Sequence, residues 1–262
     1  MQFIELTPLD RFDIAREDIL SIQRNDLIPL LNDQSRMNYY ADQLIQAQSV
    51  MLKGVDPALT QKLSQVISEI IGQLSNSKKY LKNKKFNALQ KWLGWDIEFD
   101  AGQVKYFKAL DTLIDQANHL SQKLHIEIQK SQSRYQQLLG YREQMAKYIV
   151  AAQDFLQEYP KFSNNQHPLN NFQERLSKKI NTLQTVQTSN DIAITQMQLS
   201  QQLSYDLLDR YKEAEQVLIP AWRYNLKLKN NSDSNEYLSE LNISRERLIQ
   251  ALKDSLEKNK VK

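Results

Sequence analysis

Two carboxylates and one imidazole recur at one-turn spacing in this sequence: Asp111, Asp115 and His119. On a helix, positions four residues apart share a face, so the three side chains could reach one cation. Metal sites in helical bundles usually take further carboxylates from a facing helix, often with a Glu-x-x-His pair, and none is visible here. We therefore favour a solvated polar face, with a carboxylate-bridged metal-binding bundle as an alternative.

Motifs for catalysis are otherwise missing. The sequence contains no phosphate-binding glycine loop, dinucleotide fingerprint, zinc-protease helix, nucleophile elbow or EF-hand loop. It also contains no cysteine, which removes disulfides, thiolate metal sites and cysteine redox chemistry. The sequence predicts a protein that is not an enzyme and that uses no cofactor.

Residues 76–95 combine lysines with aromatic side chains. The members are Lys78, Lys79, Lys82, Lys84, Lys85, Lys91, Phe86, Trp92 and Trp95. The segment has no acid and carries +6, whereas the whole chain carries +3, so the remainder is net −3. Such a combination suits an anionic membrane surface, because lysines meet the headgroups and rings enter the interface. A solvated loop packed on a bundle is the alternative, and nucleic acid is disfavoured because lysines without arginine cannot read bases bidentately.

The composition is that of a helical protein. Only five glycines and six prolines occur among 262 residues. There is no uncharged apolar stretch of membrane-spanning length and no N-terminal basic-then-apolar signal. We expect a cytoplasmic protein, with possible peripheral contact at the inner membrane.

Periodicity predicts helices at residues 13–31, 34–52, 57–80, 84–93, 103–158, from Pro168 onwards, and at 236–259. The stretch LKGVDPALTQKL indicates a glycine C-cap, an aspartate N-cap and Pro57 at the first helical position. Pro220 marks a kink or an end that turns Trp222 towards the bundle.

An unbroken seam with steps of four and three residues runs along the first long helix. It comprises Leu124, Ile128, Ser131, Tyr135, Leu138, Arg142, Met145, Ile149, Ala152, Leu156 and Tyr159. The second long helix carries an apolar stripe of Leu169, Phe172, Leu176, Ile180, Leu183, Val186, Ile194, Met197, Leu203, Leu207, Tyr211, Ala214 and Leu218. We interpret the polar positions Ser131, Arg142 and Asn190 as register-setting residues.

The predicted fold is all-α: an elongated helical bundle built on a long antiparallel coiled-coil hairpin. Residues 1–100 form N-terminal short helices, residues 101–229 form the hairpin, and residues 230–262 form a linker and a C-terminal helix.

Two blocks resemble the toxic-anion-resistance (TelA-like, tellurite-resistance) family. The first is IEIQKSQSRYQQLLGYREQMAKYIVAAQDFLQEYP and the second is AITQMQLSQQLSYDLLDRYKEAEQVLIPAWRYNLKL. The positions that match the family pattern are Tyr135, Tyr141, Tyr148, Ile149, Ala151, Ile219, Pro220 and Trp222. The resemblance covers about residues 55–229. Ala152 replaces an expected glycine, and the family's threonine- and asparagine-containing tail is missing, so the chain resembles a divergent or shortened member.

The resemblance implies an association with tellurite and similar toxic anions, and with bacterial envelope or general stress tolerance. Reduction of such an oxyanion would call on thiols or a redox cofactor. We therefore expect a non-enzymatic scaffold or adaptor that binds a partner protein or the inner face of the membrane. A purely structural coiled-coil rod is another alternative.

Overall fold

The computed structural model describes residues 5–77, 95–158, 171–224 and 235–257. Their α-helices are α1 (Arg16–Ile22), α2 (Ile28–Asn32), α3 (Asp42–Met51), α4 (Pro57–Asn76), α5 (Trp95–Glu158), α6 (Phe172–Glu213) and α7 (Asn235–Glu257). Short 3-10 helices cover Leu9–Arg11 and Gln34–Tyr39. No strand occurs in the described ranges, so the predicted all-α class is confirmed. No helix among these residues is long and apolar enough to cross a membrane.

The helix α5 begins at Trp95, eight residues before the predicted start at Gln103. The prediction started this helix after the sequence WDIEFDAG, which ends at Gly102. A single glycine costs a helix only about 1 kcal/mol, and α5 has 64 residues over which to offset that cost. The predicted helix at 84–93 and the turn around residues 159–168 lie outside the described residues.

The predicted seam of α5 is buried from Leu124 to Ala152, while Leu156 is partly buried and Tyr159 lies outside the described residues. Of the predicted apolar stripe, Val186, Leu203 and Leu218 are only partly buried, and Leu169 lies outside the described residues. One series of buried positions in α6 follows a seven-residue step: Ile180, Gln187, Ile194, Gln201 and Leu208. The predicted stripe contains only apolar residues, whereas two of these buried positions are glutamines, Gln187 and Gln201.

Two prolines follow a π-helical turn instead of ending a helix. The turns cover Gln23–Leu27 and Ala214–Leu218, and the tripeptide Leu-Ile-Pro follows the same course in both. In each turn the isoleucine N–H reaches back five residues, from Ile28 to the Gln23 carbonyl and from Ile219 to the Ala214 carbonyl. Because proline has no N–H, the shifted hydrogen-bond pattern lets the helix continue. The expected kink or end at Pro220 is therefore replaced by a π turn, and the helix continues over residues 219–224.

The region before α4 corrects two further expectations. The predicted helix at 34–52 is interrupted at Ala41, which adopts the left-handed conformation at φ 59°. The predicted Asp56 cap is confirmed, because its carboxylate accepts from the Ala58 N–H at 2.9 Å and Pro57 is the first helical residue. Gly54 does not cap α3; a side chain there would approach Ser200 Oγ to 3.5 Å.

The chain divides into two compact units, each made of parts that are distant in sequence. Unit 1 comprises Met1–Gly54 and Lys130–Ser200, and unit 2 comprises Val55–Gln129 and Gln201–Lys262. The three regions expected from the sequence were each continuous (residues 1–100, 101–229 and 230–262). Each of the two units instead contains residues from more than one of these regions.

In unit 1, the core joins α1, α2 and α3 to the adjoining parts of α5 and α6. It includes Leu27, Met37, Ile149, Ala152 and Phe172. The residue pairs Tyr135–Gln198, Arg142–Asp191 and Phe155–Phe172 are in contact. Later residues of α5 thus meet earlier residues of α6.

In unit 2, the core combines α4, the first part of α5, the last part of α6 and α7. Its side chains include Leu63, Ile70, Leu110, Trp222 and Leu252. Tyr211 donates to the Asn118 side chain at 2.5 Å, and Arg223 pairs with Asp111. Here too, later positions of one long helix meet earlier positions of the other.

Candidate binding site

A polar cavity of about 580 Å³ opens on unit 1. Its wall is made by the π turn before α2, α2 itself, the second 3-10 helix, the start of α3 and one residue of α5. The lining residues are Asn25, Asp26, Pro29, Leu30, Arg36, Tyr39, Tyr40, Ala41, Asp42, Gln43, Leu44, Gln46 and Tyr148. We call this cavity the Asp26 pocket.

The first wall of the Asp26 pocket is the π turn at Gln23–Leu27. Pro29 cannot donate a backbone hydrogen bond, and the wider turn before it places Asn25 and Asp26 at the cavity. The Gln23 amide, which is buried, donates to the Ala151 carbonyl of α5 at 3.3 Å. Inserted π turns of this kind occur frequently at functional sites.

The second wall contains a strained residue. Ala41 is the one described residue other than glycine with positive φ, and L-residues with a side chain rarely adopt that conformation. Its carbonyl nevertheless accepts from the Leu44 and Ile45 amides and so begins α3. The next residue, Asp42, pairs with Lys179 Nζ of α6 at 2.8 Å. Packing against α6 therefore holds a turn that is unfavourable by itself.

The third wall is an aromatic pair. The rings of Tyr40 and Tyr148 lie 5.4 Å apart at an angle of 52°, and the Tyr40 hydroxyl donates to the Tyr148 carbonyl at 2.7 Å. Burial and the nearby Asp26 charge raise the pKa of Tyr148. Burial, followed by the effects of Tyr148 and Asp26, raises the pKa of Tyr40. Both phenols therefore stay neutral throughout the physiological range.

The Asp26 carboxylate has no ion pair or hydrogen bond within the described part of the chain. Burial raises its pKa, which means that the charged form is poorly solvated. Asp42 is compensated by its ion pair with Lys179. Arg36 is exposed to solvent and lies near Asp33, whose pKa it helps to lower after the larger effect of Ser35. Of the two carboxylates that line this pocket, Asp26 is thus the one without an ion pair in the described part of the chain.

A polar layer joins α3, α5 and α6 inside unit 1. Arg142, which is 3% exposed, donates to both carboxylate oxygens of Asp191 and lies over the Phe12 ring at 5.3 Å. Gln187 donates to Asp191 at 2.7 Å and accepts from Gln48 of α3 at 3.0 Å. The Asn190 amide then donates to Gln48 at 2.6 Å, which completes the layer between α3, α5 and α6.

The interpretation of Arg142 and Asn190 as register-setting residues agrees with their place in this layer. The sequence did not indicate Gln48, Gln187 or Asp191, because each of them also bonds a residue of another helix. The buried seven-residue step that includes Gln187 was the signal that could have identified one of them.

The predicted metal candidates do not converge. Asp111 is in an ion pair with Arg223. No cluster of three or more histidine, aspartate or glutamate side chains able to hold a metal ion occurs in the parts of the chain that are described.

Nearly all of the predicted anionic-surface segment lies outside the described residues: Lys78, Lys79, Lys82, Lys84, Lys85, Lys91, Phe86 and Trp92. Trp95 begins α5, but its side chain is not described either. Its role stays a prediction.

The family-motif residues divide between the two units. Tyr148 lines the Asp26 pocket, and the Ala151 carbonyl accepts from Gln23. Tyr135 accepts from the Gln198 amide at 2.5 Å, Tyr141 is partly buried and Ile149 is in the core. Ala151 and Ala152 are fully buried, and small side chains at these positions let the N-terminal helices approach α5.

In unit 2, Pro220 is exposed whereas Trp222 is only 2% exposed. The Trp222 ring packs 6.3 Å from Phe107, as the sequence predicted in placing it against the bundle. Its indole N–H is buried without a hydrogen-bond partner in the described ranges.

The chain is 28% identical to the Escherichia coli protein KlaA over 225 residues, which span 83% of this chain and 85% of KlaA. No protein-family model matches the chain, and no solved structure matches it. This similarity supports the resemblance to the toxic-anion-resistance (TelA-like) family that the two helical blocks containing Tyr148 and Trp222 carry.

Proposed function

We propose that this protein is a non-enzymatic cytoplasmic adaptor in toxic-anion tolerance, of which tellurite resistance is the example, and in bacterial envelope or general stress tolerance. It acts by binding a partner protein. The observation that carries the proposal is the Asp26 pocket, in which an unpaired carboxylate, a strained Ala41 and two tyrosines are held by packing from four helices. Strained backbone and desolvated charge persist where function requires a preformed site.

Direct reduction of the anion is disfavoured by the chemistry of the chain. Reduction of a soft oxyanion needs electrons, which proteins usually supply from cysteine thiols or a redox cofactor. The sequence has no cysteine and no cofactor-binding motif. An adaptor role requires only a shaped surface and a stable support.

The support in this proposal is the antiparallel coiled-coil hairpin. The pairs Arg142–Asp191 in unit 1 and Asn118–Tyr211 in unit 2 favour it, because each joins a later part of one long helix to an earlier part of the other. The seven-residue step of buried residues on α6 is the spacing that a coiled coil requires.

The adaptor role is tested by partner capture followed by reconstitution. The tagged full chain is used to capture proteins from its native host, and each captured protein is then purified and titrated against the chain. We expect one protein to bind directly, and deletion of its gene to cause the same tellurite sensitivity as deletion of this one. Loss of tolerance without any direct binding partner would refute the adaptor role.

Catalysis is tested separately. Purified protein supplied with a nicotinamide cofactor, but with no added thiol, should not reduce tellurite faster than a heat-killed control. Turnover that depends on the folded chain would contradict the proposal.

The composition of residues 76–95 favours a secondary contact with anionic lipid. Each lysine near such a surface contributes about 1 kcal/mol before salt screening. Co-sedimentation with anionic vesicles should therefore fall at high salt and in the triple variant Lys82→Glu, Lys84→Glu and Lys85→Glu. Equal binding of that variant would rule out electrostatic membrane contact.

A further inference from the structure

We infer that the Asp26 pocket recognises an ammonium or guanidinium group on a lysine or arginine side chain of the partner protein. This inference rests on the proposed adaptor role and names the chemistry of the partner's contact. It follows from how the charges around the pocket are paired, from the aromatic wall and from the size of the cavity.

Charge pairing selects a cation. Asp42 is compensated by Lys179, and Arg36 is exposed and lies in the field of Asp33. Asp26 remains partly buried without a counter-charge in the described ranges. A positive group placed beside Asp26 would offset the cost of its desolvation, whereas an anion would be repelled by the same carboxylate.

The aromatic wall favours the same class of ligand. Tyr40 and Tyr148 form a tilted pair beside the carboxylate, and both line the cavity. Ring faces attract ammonium and guanidinium groups, particularly where water is partly excluded. The Tyr40 hydroxyl is already bonded to the Tyr148 carbonyl, so the ring is fixed before any ligand arrives.

The dimensions suit a side chain presented by a protein. A cavity of about 580 Å³ is larger than one lysine side chain requires and would also admit the residues on either side of it. The strained Ala41 and the π turn at Gln23–Leu27 place the two walls before binding, which limits the ordering cost on association.

The test uses the full chain and three short acetylated, amidated tripeptides: Gly-Lys-Gly, Gly-Arg-Gly and Gly-norleucine-Gly. Amide chemical shifts are followed during titration at low salt, with spermidine as a fourth probe. We expect the lysine or arginine peptide to shift amides around Asp26 and Tyr148, and the norleucine peptide to leave them unchanged. The variant Asp26→Asn should weaken the binding by about tenfold or more.

The matched control is Asp13→Asn, which makes the same charge change at an exposed aspartate that does not line the pocket. Equal binding by Asp26→Asn and Asp13→Asn would overturn the inference, as would equal binding of the norleucine peptide. Binding of spermidine without binding of either basic peptide would also overturn it, because the cation would then come from a free amine. A folding check by circular dichroism on each variant separates loss of the site from loss of the fold.

Failure of this inference can be distinguished from failure of the adaptor role. A captured partner that binds Asp26→Asn as tightly as the unaltered chain leaves the adaptor role intact and removes the pocket as its contact. If cation binding depends on Asp26 but no partner is captured, the chemistry inferred for the pocket is supported and the adaptor role is refuted.

Discussion

Arg142 and Asp191 form a two-point ion pair between α5 and α6, with Nε 2.8 Å from one carboxylate oxygen and Nη2 2.9 Å from the other. The arginine side chain is 4% exposed and the aspartate side chain 25% exposed. Both residues belong to a polar layer that also bonds α3 through Gln48. The pair thus joins the two long helices of unit 1 and the N-terminal region.

The first prediction concerns this pair. Replacing Asp191 by alanine leaves Arg142 buried and unpaired, and we expect the free energy of unfolding to fall by about 3 kcal/mol. The exposed Asp209→Ala should change it by no more than about 0.5 kcal/mol. In the double variant Arg142→Met with Asp191→Leu, most of the loss should be recovered. Urea denaturation measures all three, and equal effects of the two alanine variants would contradict the assignment.

The second prediction concerns the strained residue Ala41. Because its φ is positive, Ala41→Gly should stabilise the folded protein by about 0.5 kcal/mol, after the added entropy of the unfolded chain is allowed for. In the interior of α3, Ala47→Gly should instead destabilise it by about 1 kcal/mol. Opposite signs in thermal unfolding are the expected result. If both variants were destabilised alike, the left-handed conformation at Ala41 would be wrong.

The third prediction is a pH dependence. Burial raises the pKa of Asp26 in the folded state, so the folded state holds this proton more tightly than the unfolded state does. Its contribution to stability is therefore favourable at low pH and is lost as the pH rises through the folded pKa, above the ordinary value of 3.8.

At pH 7, Asp26→Asn should raise the free energy of unfolding by roughly 0.5 kcal/mol, a small figure because the carboxylate is partly exposed to solvent. The advantage over the unaltered chain should shrink as the pH falls towards 4. Thermal unfolding of both proteins between these values measures the difference. An advantage that grew on acidification would have the wrong sign for a raised pKa.

The fourth prediction tests the seam. Ile149 is 4% exposed, so Ile149→Asp buries an unpaired charge and should cost at least about 3 kcal/mol. The same substitution at Ile192, which is 59% exposed on α6, should cost about 0.5 kcal/mol or less. Denaturant titration compares the two variants. A small loss of stability in Ile149→Asp would contradict the assignment of Ile149 to the core of unit 1.

The fifth prediction concerns Arg245 of α7. The residue is 1% exposed, and its Nε and Nη1 donors are buried without partners in the described ranges. Its Nη2 contacts Glu246 at 2.5 Å, but that carboxylate is 62% exposed.

Because the charge is poorly compensated, Arg245→Met should stabilise the protein by about 1 kcal/mol. Arg247→Met, on the exposed face of the same helix, should have little effect. Melting temperatures compare the two variants. A marked destabilisation by Arg245→Met would show that the guanidinium has a favourable role in unit 2.

The sequence by itself determined the helical class, the buried seam of α5 and the cap formed by Asp56 and Pro57. These features depend on local periodicity and on contacts within a few residues, so they can be read along the chain. Trp222 was placed against a core for the same reason, although the π turn before Pro220 was not foreseen. In that turn the Ile219 N–H donates to the Ala214 carbonyl five residues back, a pattern that the regular helical period does not predict.

Only the tertiary structure decided the Asp26 pocket and the polar layer of unit 1. The contact between Tyr40 and Tyr148 spans 108 residues, and the bond between Gln48 and Gln187 spans 139. No local pattern encodes such pairs, because their energy comes from bringing distant helices together. The left-handed Ala41 is tolerated for the same reason: packing of α3 against α5 and α6 offsets a local preference that points the other way.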